Sequence, residues 1–183
     1  MFKPGDVLLY TAPAWKFSNI IPRLIRLATG NKVTHVAVYL GTNDVGHVIL
    51  DALSSGVKLK VLSEAELYDR KDDFKLCAIA SLTECAILEK SSVFMYAAAK
   101  YSRTSYGYLT ILNLLLQHGK GRLFNKPWSI WFKSKKGYIC SEVSQLVIED
   151  VLRLNQIPIP FKKPAALTEP DDYLSAPWKV IEL

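Results

Sequence analysis

At 183 residues the chain has the length of a single domain, 1–183, and is long enough to bury a sizeable core. Half of it is hydrophobic and 22% is charged, which excludes a disordered chain. Its longest apolar run, residues 109–116, falls far short of the ~20 residues that a membrane-spanning helix needs. The formal charge of +6 is scattered, with short clusters at 133–136 and 162–163. It would suit an anionic cell-wall polymer or lipid surface but names no partner, and no nucleic acid is expected.

Three cysteines cannot all pair within one chain, and none has the C-x-x-C spacing of a metal site. A reduced chain without disulfides, metal or cofactor is the expectation. No charged n-region and apolar h-region precede Lys3-Pro4-Gly5-Asp6, so a cytoplasmic location is expected.

In chain order, residues 6–10 read as a short apolar strand after a Pro-Gly turn. Ile20, Ile21, Leu24, Ile25 and Leu27 recur at helical spacing until Gly30-Asn31. Residues 33–40 and 47–53 are apolar strands around the turn residues 41–46, and so form a hairpin. Residues 57–62 alternate apolar side chains with lysine, as a half-exposed strand does. Ser63-Glu64-Ala65-Glu66 is a capping box for a short helix. Residues 74–80 form a strand, and a second capping box at Ser81 opens a helix running to about Tyr101. Residues 105–117 read as helical. Trp128, Trp131 and Phe132 fall in a loop or short helix. Residues 141–155 form an amphipathic helix with Val143, Leu146, Val147, Val151 and Leu154 on one stripe. The proline-rich tail reads as packed loop with a short helix near 171–175. The sum is one α+β domain, a mostly antiparallel sheet packed against helices.

Cys140 stands at the opening of the amphipathic helix. Helix N-termini favour thiolates through their partial positive charge, and their N–H groups can hold an oxyanion. His35 stands at the opening of an apolar strand and is the candidate base. A third group should accept the other imidazole N–H. Asp51, a carboxylate inside an apolar strand, is the first choice. His47 lies four residues away, hence on the same face, and remains the alternative, beside a glutamine or backbone carbonyl. Tyr10, Tyr138 and Ser141 are weaker candidates for substrate or oxyanion contacts. Cys77 and Cys85 read as packing residues, and His118 has no assigned role.

Five segments resemble one family. Gly5-Asp6-Val7-Leu8-Leu9-Tyr10 is similar to the opening strand of NlpC/P60-superfamily proteins. Thr34-His35-Val36-Ala37-Val38-Tyr39-Leu40-Gly41 resembles the histidine strand of the circularly permuted branch, and Val48-Ile49-Leu50-Asp51-Ala52 the strand that follows. Tyr138-Ile139-Cys140-Ser141-Glu142 resembles the late cysteine helix. Glu169-Pro170-Asp171-Asp172-Tyr173-Leu174 resembles the tail of the YiiX-like (YebB-like) group. Histidine before cysteine is the order of the permuted branch. The resemblance implies a permuted papain-like fold, a Cys140/His35 pair and a polar third residue. It implies a cysteine amidohydrolase or peptidase, with cell-wall peptides the common substrate of the superfamily. The same fold also serves lipid acyl hydrolases and acyltransferases, for which 109–116 and the Trp128–Phe132 cluster would supply a membrane-facing surface. A non-catalytic binding protein is the third possibility. Oligomeric state is not legible.

Overall fold

Strand β2 (His35–Asn43) is the middle of the architecture, and its alternation explains both cores. Val36, Val38 and Leu40 point to one face of the sheet and Ala37 and Tyr39 to the other, all of them buried. The computed structural model describes residues 2–12, 32–70, 74–82, 91–108 and 137–183. The expected helix within 13–29, the 109–116 stretch, the Trp128–Phe132 cluster, Cys85 and His118 lie outside those residues.

Around β2 run β1 (Val7–Thr11), β3 (Gly46–Leu53), β4 (Gly56–Leu62), β5 (Lys75–Ser81) and β8 (Lys179–Glu182). They form one six-stranded sheet in the order β4-β3-β2-β1-β5-β8, with every neighbouring pair antiparallel. Helices α1 (Glu64–Tyr68), α2 (Ser91–Ala99) and α3 (Cys140–Leu154) complete a mixed α+β arrangement. The capping box at Ser63 is present in full: Glu66 N–H donates to Ser63 Oγ, and Ser63 N–H donates to Glu66 Oε2 at 3.0 Å.

Helices α2 and α3 cover one face. Phe94 and Ala98 of α2 and Val147, Ile148, Val151 and Leu152 of α3 pack with Val7, Leu9, Val36, Val38 and Leu50. Gly41 permits the close approach of α2. Its φ is +129°, and a Cβ there would lie 2.7 Å from the Ser91 Cβ. The opposite face holds a second cluster of Leu8, Tyr10, Ala37, Tyr39, Ile49, Leu67 and Phe74, closed by α1 and the start of β5.

The structure corrects two sequence expectations. Ser105 and Tyr106 are not helical. They form β6, which pairs in parallel with β7 (Gly137–Tyr138) just ahead of Cys140. The tail is not all loop, because β8 adds to the sheet edge beside β5. Two 3-10 turns precede it, Ala165–Leu167 and Pro170–Leu174. Among the described residues no helix is long and apolar enough to cross a membrane.

Candidate active site

Register brings His35 and Asp51 together. Ala37 lies opposite Asp51 across the β2–β3 ladder. His35 is two residues earlier on the same face, which makes it the diagonal neighbour of Asp51, within reach of a long side chain. The imidazole Nε2 meets Asp51 Oδ1 at 2.6 Å, and both side chains are buried. His47 does not take this place. It lies opposite Thr42 near the turn, and its Nδ1 shares a hydrogen bond with the Tyr39 hydroxyl at 2.9 Å. Of the two orienting groups that alternation left open, Asp51 is the one bonded to His35.

Cys140 reaches the same imidazole. Helix α3, which Cys140 opens, packs on β2 and β3. The Cys140 sulfur lies close enough to the His35 ring to act on its charge. Burial works against a charged imidazole here, but the carboxylate of Asp51 and the sulfur of Cys140 outweigh it. Together they hold His35 up at about 9. Asp51 is also deeply buried, which alone would favour its neutral form. His35, followed by Arg70 and Lys60, overturns that and keeps the carboxyl far below the usual range.

The N-cap of α3 is Ile139, whose side chain makes no capping hydrogen bond to the first turn. Comparison of the chain with protein-family models and with curated proteins found no match.

The weaker candidates fall in different places. Tyr10 is fully buried and packs against His35 with ring centroids 6.0 Å apart, behind the imidazole. Tyr138 stands edge-on to Tyr101 at 5.5 Å, two residues before the cysteine. Ser141 is fully buried, and its hydroxyl donates to the Thr168 carbonyl. Cys77 behaves as a packing residue, with Sγ donating to the Leu9 carbonyl at 3.2 Å. Among the described residues no group of three or more His, Cys, Asp or Glu side chains could hold a metal ion.

Four residues were missed by the sequence reading. Arg70 and Lys60 both reach Asp51 Oδ2, at 2.7 and 2.9 Å. Phe74 stacks on His35 at 4.6 Å. Tyr106 of β6 lies near Cys140 and Asp51; burial, followed by these negative charges, pushes its hydroxyl well above the ordinary tyrosine range. None carries a local motif. Arg70 in particular sits in the run Asp69-Arg70-Lys71-Asp72-Asp73, which reads as solvated loop.

The tail motif ties the two halves of the site together. Asp171 Oδ1 accepts from the Val33 N–H at 3.0 Å, two residues before His35. Tyr173 donates its hydroxyl to the Ser141 carbonyl at 2.8 Å, in the first turn of α3. One 3-10 turn thus grips both the histidine strand and the cysteine helix.

Proposed function

We propose that the chain is a thiol hydrolase acting on an amide or peptide bond, with Cys140 as nucleophile, His35 as general base and acid, and Asp51 as orienting group. The fold is read as the circularly permuted papain-like arrangement of the NlpC/P60 superfamily, near the YiiX-like group, on the order and identity of the motifs. The observation that carries the reading is a single imidazole bonded through Nε2 to a buried carboxylate at 2.6 Å, with the sulfur of Cys140 at a helix N-terminus close enough to act on its charge.

The chemistry follows from that arrangement. The thiol proton passes to His35, and the sulfur attacks the carbonyl carbon. The carbonyl oxygen becomes an oxyanion, held by N–H groups of the first turn of α3. The imidazolium gives its proton to the leaving amine as the C–N bond breaks, leaving a thioester on Cys140. Water then attacks the thioester, losing a proton to His35. The acid departs, and the proton returns to sulfur. Asp51 stays ionised and fixes the ring. Cell-wall peptides are the substrate class that the resemblance favours. A lipid acyl substrate would call on residues 109–116 and the Trp128–Phe132 cluster, which lie outside the described residues.

A non-catalytic binding role draws on one observation, that Cys140 and His35 each expose only 3% of their surface. Alkylation separates the two. Cys140 should react with iodoacetamide near neutral pH in the native protein and lose that reactivity in His35→Ala. Release of peptide from purified muropeptides supports the amidase. Release of fatty acid from phospholipid vesicles would replace it with the lipid reading. A folded protein whose Cys140 resists alkylation would overturn the hydrolase.

A further inference from the structure

Asp51 serves three cations with two oxygens. Oδ1 belongs to His35. Oδ2 receives Arg70 Nη2 at 2.7 Å and Lys60 Nζ at 2.9 Å. Arg70 is as enclosed as the carboxylate itself, with its side chain 3% exposed, whereas that of Lys60 is 29% exposed. A buried guanidinium is unusual and demands a compensating anion. Its setting also points at the imidazole. The guanidinium lies over the rings of Tyr10, at 5.1 Å, and Phe74, at 5.3 Å. Those same rings contact His35. The Arg70 N–H donates to the Phe74 carbonyl, which fixes the residue just before β5.

We propose that Arg70 is a positioning residue of the thiol site, which locks the Asp51 carboxylate through Oδ2 so that Oδ1 faces His35 and limits how much of its negative charge the imidazole receives. The proposal deepens the hydrolase reading and rests on it for its functional meaning. An Asp51 that answered to His35 alone would hold the imidazolium too firmly, and a base that cannot release its proton cannot protonate the leaving amine. Two cations on the far oxygen moderate that grip. A guanidinium does so from a rigid planar group, whereas the ammonium of a lysine is a rotatable point charge.

The other groups facing this pair are Cys140 from α3, Tyr106 from β6 and Tyr10 from β1. Lys58, opposite Asp51 in the β3–β4 register, is exposed. None of them replaces the bond from Arg70 to Oδ2.

The test is the titration of the His35 ring, followed by NMR in the full chain, alongside the pH dependence of Cys140 alkylation. In Arg70→Met the His35 midpoint should rise by about one pH unit, a tenfold change in its proton affinity. Lys60→Met should move it the same way by less, since that amine is partly solvated. Arg70→Lys should hold the midpoint close to wild type but broaden the ring signals, because the charge remains and the planar group packed on Tyr10 and Phe74 does not. A folded Arg70→Met with an unmoved midpoint would overturn the proposal and leave Arg70 a structural counter-charge. If Arg70→Met does not fold, an unmoved His35 midpoint and unchanged ring signals across Lys60→Met and Arg70→Lys overturn it equally. Wild-type alkylation reports on the hydrolase reading separately, because the His35 titration is measurable even where Cys140 proves inert.

Discussion

Replacing Asp51 by asparagine keeps the shape of the side chain and removes its charge. Asp51 is fully buried and is the anion for His35, Arg70 and Lys60. Two effects follow. The first is on the site. His35 is held up at about 9 against an ordinary 6.5, and burial alone pushes the other way. That rise corresponds to about 3 kcal/mol in favour of the imidazolium. Without Asp51 the ring should titrate below its ordinary value, and near neutral pH no imidazolium is left to face the sulfur. Alkylation of Cys140 at pH 7.5 should then slow by about a hundredfold. The second effect is on the fold. Removing one member of a buried ionic cluster strands the enclosed Arg70 guanidinium, at a cost of about 3–5 kcal/mol. The assay pairs an iodoacetamide pH–rate profile with a thermal or urea melt of the same variant. An Asp51→Asn protein that melts like wild type and alkylates with the same profile would refute the reasoning.

Thermal stability should decline as pH rises. A histidine whose pKa is raised on folding contributes fully below about 6.5 and loses that contribution as pH passes through about 9, so the melting temperature should fall between pH 7 and 10 and fall less in His35→Gln. Tyr173→Phe removes the hydroxyl bond to the Ser141 carbonyl and should cost about 1 kcal/mol by urea melt, with slower Cys140 alkylation. Gly41→Ala should destabilise by about 1–3 kcal/mol, because the new Cβ would meet Ser91 at 2.7 Å on a backbone at positive φ; an unchanged melt would show that α2 can shift aside at no cost.

Most of the sheet was legible because its strands alternate or run apolar between turn residues, as in residues 35–43 and 46–53. The cysteine helix was legible from its stripe, and α1 from its capping box. What sequence could not supply was register. Asp51 and His47 share a face, and alternation cannot rank them. The pairing of Ala37 with Asp51, and of Thr42 with His47, decides it. Edge strands were also hard to see. Four residues of β8 follow a run of prolines and gain their meaning from β5 alone, and the two residues of β6 carry too little pattern to separate strand from helix. Arg70 and Lys60 look like surface charges until the fold brings both to one buried carboxylate. The tail motif was noticed as a family-like signature, but its mechanical purpose appears when Asp171 and Tyr173 are seen to hold different elements.

That double grip has a consequence for the timing of assembly. A ribosome makes His35 first, Cys140 much later, and the Asp171 and Tyr173 that bind their two supports later still. While Tyr173 is inside the exit tunnel, the emerging chain holds the thiol and the imidazole without the brace that aligns them. Alignment of the thiol with the imidazole therefore waits for residues 171 and 173, and arrested chains ending before residue 169 should bear a Cys140 with the sluggish reactivity of an ordinary thiol.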